Sequence, residues 1–147
     1  MTISRQQLEQ KIHSTIPQSS NLGYQIIELS ETAIVTRAPL DLNINIHNTG
    51  FAGSLYSVAA LTAWALCYHG IENNDIDAVL VIAKACIDYH KPVESDIECR
   101  CTISDTNYED FISRMKEGQR ARLNVDVIIN SGCAVLNAFV VATPKRG

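Results

Sequence analysis

Residues 45–54 carry the groups in this chain that are best suited to chemistry. Asn45, His47, Thr49 and Ser54 place an amide, an imidazole and two hydroxyls in one short segment that contains no charged residue. Such groups donate hydrogen bonds to a developing negative charge, but no carboxylate is present to take up a proton. The segment therefore favours stabilisation of an oxyanion over proton abstraction.

A long uncharged run follows this segment. No Asp, Glu, Lys or Arg occurs between Leu42 and Ile71. The pattern predicts a helix that starts near Gly50 and that Gly70 ends. Apolar residues run right round it, so it is predicted to be buried on nearly every side. Its first-turn amides, around Gly53, would then face the approach segment and favour an anion there.

Each candidate side chain also has a purely structural role open to it. Asn45 can satisfy its own loop in an Asx turn, and Thr49 and Ser54 can cap the helix. His47 is compatible with a solvated loop histidine, and Tyr56 with a satisfied core hydroxyl. Ser54 does not stand in a G-x-S-x-G motif, which argues against a serine nucleophile.

Positive charge is concentrated towards the C-terminal third of the chain. Four cationic side chains stand close together against a single Glu117: Arg114, Lys116, Arg120 and Arg122. They predict a docking patch for a small or acidic anionic partner, with a solvated helix end as the alternative. Lys91, beside Pro92, is a second candidate for such a contact.

Length and composition predict one globular domain over residues 1–147. Apolar residues make up 46% of the chain and charged residues 19%. A net charge of −4 argues against a broad electrostatic contact with nucleic acid or an anionic membrane. The five cysteines form no CxxC pair, which favours free, mostly buried thiols over a metal site.

The chain is expected to be cytoplasmic. Its N-terminal residues contain no apolar signal core, and its thiols fit a reducing compartment. Residues 50–69 are long enough to span a membrane, but their Gly, Ser, Thr and Tyr residues are better explained by a helix buried within the fold.

The rest of the sequence predicts two short helices and six strands. Ser4 and Gln7 form a capping-box pattern for the first helix, which Pro17 is expected to stop. Ser131 and Gly132 indicate a tight turn. The strands are predicted at Tyr24–Leu29, Thr32–Arg37, Ala78–Tyr89, Asp96–Ile103, Arg120–Asn130 and Cys133–Thr143, and the second short helix at Tyr108–Lys116.

This order predicts an α+β fold. An antiparallel sheet that is hydrophobic on one face needs cover, and the single apolar helix supplies it. Because that helix is too apolar for one face of a flat sheet, the sheet is expected to curl round it.

Residues 45–57 (Asn-Ile-His-Asn-Thr-Gly-Phe-Ala-Gly-Ser-Leu-Tyr-Ser), followed by Leu61 and Trp64, resemble a known signature. It is that of the YiiD C-terminal-domain-like hot-dog proteins. Residues 89–93 (Tyr-His-Lys-Pro-Val), with Asp96, resemble the end of the same family's long strand. Ala52 stands where the family commonly has the first glycine of a Gly-Gly pair.

The resemblance implies a hot-dog fold, a curled antiparallel sheet round a long central helix, and chemistry on acyl thioesters. The family includes proteins labelled thioesterases and enzymes that decarboxylate malonyl-acyl carrier protein. Decarboxylation releases CO₂ without a base, and a site without carboxylates suits the resulting enolate. We therefore expect acetyl-acyl carrier protein as the product, in fatty-acid synthesis. The alternatives are an acyl-CoA or acyl-carrier-protein thioesterase and a non-catalytic acyl-thioester-binding protein.

The resemblance, together with the positive charges described above, predicts roles for individual residues. The expected catalytic residues are Asn45, Thr49, Gly53 and Ser54, and the expected substrate-binding residues are His47, Phe51, Tyr56, Lys91, Arg114, Arg120 and Arg122. The acyl group would arrive on the phosphopantetheine of acyl carrier protein or on coenzyme A, without a separate cofactor or metal. Relatives pair as homodimers that extend one sheet across both subunits, so a homodimer or a higher homo-oligomer is expected.

Overall fold

The computed structural model describes residues 2–146, which form four helices, six strands and two short 3-10 turns. The helices are α1 (Arg5–Thr15), α2 (Pro17–Leu22), α3 (Ala52–Asn73) and α4 (Asp105–Lys116). The strands are β1 (Gln25–Leu29), β2 (Ala33–Ala38), β3 (Ala78–Tyr89), β4 (Ile97–Thr102), β5 (Ala121–Ile129) and β6 (Ala134–Pro144). The 3-10 turns are Leu40–Leu42 and Asn130–Gly132.

The six strands form one antiparallel sheet in the order β1-β2-β4-β5-β6-β3. The long strand β3 lies at one edge, and β1 lies at the other. The sheet curls about α3, which contacts every strand from β2 to β6. The predicted α+β arrangement is confirmed. So is the strict alternation of β5, whose inner residues Leu123, Val125 and Val127 are buried.

The helix α3 differs from its prediction at its C-terminal end. Gly70 does not end it, because the helix continues for another turn to Asn73. Gly70 is buried, and its lack of a side chain allows Tyr108 to pack closely against the helix. A Cβ at this position would lie 3.1 Å from Cε2 of Tyr108 on α4.

The prediction that α3 is buried on nearly every side is also wrong. One stripe of the helix is only half covered, because the curled sheet does not reach all the way round it. The stripe lies between α2 and the edge strand β3 and consists of Tyr56, Ser57, Ala60, Leu61, Trp64 and Tyr68.

The N-terminal helix lies on the core through Leu8 and Ile12, which are fully buried. Its capping box is confirmed, since the Ser4 hydroxyl accepts from the Gln7 N–H and the Gln7 side chain accepts from the Ser4 N–H. Pro17 ends α1 as predicted but also opens α2, because the first position of a helix needs no N–H donor.

The five cysteines are free thiols. Cys67, Cys99 and Cys101 are buried, Cys133 is partly buried and Cys86 is exposed, so the expectation of mostly buried thiols is confirmed. Burial raises the pKa of Cys99 and of Cys101 to about 12, which keeps both protonated at neutral pH.

A buried hydroxyl network fixes α3 against the sheet. Thr62, in the middle of α3, donates to the Val58 carbonyl at 2.7 Å. Its oxygen therefore accepts from the Thr36 hydroxyl of β2 at 2.7 Å and from the Tyr24 hydroxyl at 3.3 Å. All three hydroxyl residues are fully buried, so none of them can exchange its partner for water.

We predict that Thr62→Val lowers the free energy of unfolding by about 1–3 kcal/mol, because it leaves two buried hydroxyls without their acceptor. Urea unfolding measures the change. Thr102→Val, at an exposed position of β4, is the matched control and should stay within about 0.5 kcal/mol of wild type. Equal effects of the two substitutions would contradict the role of the network.

A second, partly buried chain of hydrogen bonds ties the N-terminal segment to the end of α3. The Ile3 N–H donates to Asn73 Oδ1 at 2.8 Å. This orients the Asn73 amide so that its Nδ2 donates to His69 Nε2 at 3.0 Å. His69 is buried, and its Nδ1 has no hydrogen-bond partner among residues 2–146. The imidazole is therefore neutral, with its proton on Nδ1.

This arrangement predicts a pH dependence of stability. Burial lowers the pKa of His69 below its ordinary value of 6.5, although nearby carbonyls and Glu31 partly offset this. The unfolded chain then binds the proton more tightly, so stability falls as the pH drops below about 6.5. Measuring unfolding free energies from pH 8 to pH 5 should show His69→Gln gaining on wild type towards acid. A difference that is constant with pH would contradict the prediction.

Candidate functional site

A cleft of about 350 Å³ opens at the N-terminal end of α3. The loop before α3 forms one wall, and the end of β3 with the segment after it forms the other. The lining residues are Asn45, Thr49, Gly50, Ala52, Leu55, Tyr89, His90, Lys91, Pro92 and Val93. The structure thus brings together the two segments that the sequence singled out, residues 45–54 and residues 89–93.

Residues 43–51 form a tight hairpin-like loop, called here the finger. A β-bridge pairs Ile44 with Gly50, and the Asn45 N–H donates to the Thr49 carbonyl at 2.8 Å. Asn48 at the turn has a φ of 62°, a left-handed conformation that Asn tolerates better than most residues.

Asn45 holds the finger together from inside. Its Oδ1 accepts from the N–H groups of His47 at 2.9 Å and Thr49 at 3.1 Å. Its Nδ2 donates to Thr49 Oγ1 at 2.8 Å and to the Gly50 carbonyl at 3.3 Å. The Asx-turn alternative is therefore realised. The longest of these bonds, to Gly50, is the weakest one.

The base of the finger is fixed by close backbone contact. The Gly50 N–H donates to the Val93 carbonyl at 2.7 Å. A Cβ on residue 50 would lie 3.1 Å from both Val93 Cβ and Leu55 Cδ2. Gly50 is thus required for the close approach of the finger to the 92–93 segment.

The first turn of α3 leaves its amides free. Phe51 is the N-cap residue, and no side chain caps the helix, so the proposed capping by Thr49 or Ser54 does not occur. The first helical bond runs from the Leu55 N–H to the Phe51 carbonyl. The N–H groups of Ala52, Gly53 and Ser54 have no acceptor in the part of the chain that the structure describes. They can hold an oxyanion.

Access differs among these three residues. Ala52 and Gly53 are exposed, whereas the Ser54 side chain is buried and offers only its N–H. The ring of Phe51 lies against Gly53, since a Cβ there would lie 2.6 Å from Phe51 Cε2. Phe51 is 52% exposed, so its ring covers this turn from the solvent side.

Tyr89 and His90 line the cleft, but the sequence had assigned them no role. The Tyr89 hydroxyl donates to the Ala52 carbonyl at 2.8 Å and so ties the end of β3 to the start of α3. The backbone N–H groups of His90 and Lys91 both donate to the Cys133 carbonyl. This leaves their exposed side chains at the cleft. Their place in the recurring 89–93 motif was the signal that could have identified them.

The cleft is free of acidic side chains, since none of its lining residues is Asp or Glu. Glu94, Asp96 and Glu98 line an adjoining cleft of about 610 Å³, which shares Pro92 and Val93 with this one and also includes Arg37. Lys91 is therefore the one side chain with a fixed charge in the candidate cleft, and that charge is positive.

An apolar groove of about 480 Å³ runs along the uncovered stripe of α3. Tyr56 lines this groove and not the cleft, and its hydroxyl donates to the Ala85 carbonyl at 3.3 Å. Trp64 Nε1 donates to the Leu80 carbonyl at 3.2 Å, and its ring stacks on Tyr68 with centroids 4.7 Å apart. The stripe is thus fixed to β3 by two polar contacts.

The other predicted binding residues lie away from the cleft. His47 is exposed on the finger. Arg120 and Arg122 lie at the far end of the sheet, roughly 25 Å along β5 from the end near the cleft. Arg114 and Lys116 are exposed on α4, where Arg114 pairs with Asp110 at 2.9 Å. One protomer does not bring this basic group to its own cleft.

Within residues 2–146, no helix has the length and apolar character needed to cross a membrane. The same range contains no group of three or more His, Cys, Asp or Glu residues that could hold a metal ion.

Comparison with solved structures gives the same fold. A Shewanella oneidensis protein described as a "putative thioesterase" is 31% identical, with 95% of this chain and 97% of that chain covered and a TM-score of 0.86. A Chlorobaculum tepidum protein of unknown function is 21% identical over 98% and 99% of the two chains, with a TM-score of 0.90. A thioesterase from Haemophilus influenzae is 15% identical over 98% and 93%, with a TM-score of 0.71.

The hot-dog fold expected from the signature is thereby confirmed. The family model described as "Putative thioesterase (yiiD_Cterm)" matches residues 5–141, nearly the whole chain. Because of this match, and of the 31% identity to the Shewanella protein, this chain belongs to that thioesterase-type hot-dog family.

Proposed function

We propose that this protein decarboxylates malonyl-acyl carrier protein to acetyl-acyl carrier protein at the cleft beside the finger. One observation carries the proposal. The start of α3, whose first residue Ala52 lines the cleft, has unpaired N–H groups, and the cleft has no acidic side chain in its lining. A carboxylate there would repel the malonyl group, whereas free amides stabilise the enolate oxygen that forms from the thioester carbonyl.

In this reaction the bond between the malonyl carboxylate and the methylene carbon breaks, and CO₂ leaves. The electron pair of that bond moves to the methylene carbon and onto the carbonyl oxygen. The N–H groups of Ala52 and Gly53 receive that oxyanion, and the Ser54 N–H supports it from within the turn. A proton from water or from the His90 imidazole, which lines the cleft, then completes the acetyl group.

Asn45 and Thr49 act together in this proposal. Thr49 holds one hydrogen of Asn45 Nδ2, and the other hydrogen makes the long bond to Gly50. We assign this second hydrogen to the substrate oxygen during the reaction. Phe51 shields the turn from water, and Lys91 attracts the malonyl carboxylate into the cleft.

The acyl group would be carried by the phosphopantetheine arm of acyl carrier protein, with coenzyme A as the alternative carrier. Four exposed basic residues are assigned to these acidic partners: Arg114, Lys116, Arg120 and Arg122. We propose a cytoplasmic protein that needs no further cofactor. The exposed edge of β3 supports a homodimer in which two copies of β3 pair.

Hydrolysis of an acyl thioester is the second candidate function, and the family description and the thioesterase neighbours favour it. It needs a base for water. His90 is the group that fits, because it lines the cleft itself, whereas the carboxylates of the 94–98 segment line the adjoining cleft beyond Pro92 and Val93. A binding protein without catalysis is the third candidate.

Incubation with malonyl-acyl carrier protein, followed by mass spectrometry of the carrier, separates these candidates. We expect acetyl-acyl carrier protein. Free carrier protein with malonate would establish hydrolysis and overturn the decarboxylase proposal. Unchanged substrate, with carrier bound, would leave only the binding role.

We predict that Asn45→Ala lowers kcat/KM for this reaction by about a hundredfold to a thousandfold, the usual cost of one oxyanion donor. Thr49→Val is the matched control. It removes an acceptor inside the finger but leaves the donor, so it should stay within roughly tenfold of wild type. Equal losses in the two variants would make Asn45 a positioning residue of the finger and contradict its role as a donor.

A further inference from the structure

The finger presents apolar side chains that nothing in residues 2–146 covers. Ile46, next to its tip, is 91% exposed, and Leu42, Ile44 and Phe51 at its base are also exposed. Exposed apolar clusters of this kind mark contact surfaces. Because the Asn45 bonds and the Gly50–Val93 contact hold the backbone, the surface is preformed, and little conformational entropy is lost when it binds.

The same chain carries an apolar groove that nothing in the described residues fills. Its floor is the uncovered stripe of α3, including Ala60, Leu61 and Trp64. Val81 and Ile82 of β3 form one wall, and α2 with the residue before it forms the other. Its lining is almost wholly apolar, so an aliphatic side chain such as Ile46 suits it better than a polar group.

The positions of finger and groove along β3 are complementary under a twofold axis. The finger lies at the Tyr89 end of the strand, where the Tyr89 hydroxyl contacts Ala52. The groove reaches the opposite half, where Trp64 contacts Leu80. When two copies of β3 pair antiparallel along their length, the Tyr89 end of each lies beside the Ala78 end of the other. Each finger then lies against the groove of the other copy.

We propose that the finger of one copy inserts Ile46 into the α3–β3 groove of a second copy, and that the two contacts are equivalent by symmetry. This inference rests on the paired β3 edge proposed above. It gives the uncovered stripe of α3 a specific occupant. It also places the second subunit beside the cleft, because the finger that forms one wall of the cleft contacts the groove of that subunit.

The chain supplies its own probe for this contact. Trp64 is the only tryptophan in the sequence, and it lines the groove. In the wild-type dimer the partner's Ile46 should shield the Trp64 indole from acrylamide. Ile46→Asp should raise the dimer dissociation constant at least about thirtyfold, as loss of an interface hot spot does. It should also make Trp64 fluorescence more quenchable.

Ile128→Asp is the matched control. Ile128 is a partly exposed isoleucine on the outer side of β5, away from finger and groove. This variant should keep both the wild-type sedimentation and the wild-type quenching. Circular dichroism of both variants checks that the fold is retained. A wild-type monomer at micromolar concentration would overturn the proposal, and so would an unchanged dimer in Ile46→Asp.

A photo-crosslinking amino acid at position 46 tests the contact directly. In a mixture of ¹⁴N-labelled and ¹⁵N-labelled chains, crosslinks should join the finger of one isotope to residues 56–64 or 79–82 of the other. Crosslinks within one chain only, or to the outer face of the sheet, would contradict the proposal. So would a groove that takes up a free acyl chain while Ile46 stays unreacted. Since no substrate is turned over, a failure of the proposed reaction leaves this test unaffected.

Discussion

The structure depends on the burial of an uncharged helix by a sheet that has to curl to reach it. Transfer of the apolar residues of α3 out of water is the main favourable term, and it requires contact with five strands. At that depth, each polar group on the helix lowers the stability of the fold unless it is hydrogen-bonded. Thr62 meets this condition by bonding to β2 and to Tyr24, which also fixes where the helix lies against the sheet.

The same constraint shapes the two ends of α3. At its C-terminal end, His69 and Asn73 hold the N-terminal segment in place through a chain of bonds that requires a neutral imidazole. At its N-terminal end, no side chain caps the helix, and three amides stay unpaired beside the finger. A helix end that is open and positioned by the rigid 92–93 contact is a preorganised site for negative charge. Stability and proposed chemistry therefore rest on one element.

Sequence reasoning located this element and its approach because both signals are local. The helix in the uncharged run, the capping box of Ser4 and the alternation in β5 depend on neighbouring residues only, and all three were confirmed. Predictions from the sequence were wrong where the structure depends on residues that are far apart in the chain. Gly70 continues the helix because Tyr108 packs on it, and the stripe around Trp64 stays uncovered because the sheet ends at β3. Neither cause can be recognised from adjacent positions.

By itself, the sequence determined the α+β class and the curled sheet round one apolar helix, and it singled out residues 45–54, which reach the candidate cleft. These follow from hydrophobic period and residue type, which each segment carries within itself. Only the tertiary structure decided the partners of each group. Within the finger, the Asn45 side chain is hydrogen-bonded to neighbouring residues. Tyr89 and His90 lie at the cleft, whereas Arg120 and Arg122 lie at the far end of the sheet. The reason is that strand register and the path of the chain, which no single segment contains, set these distances.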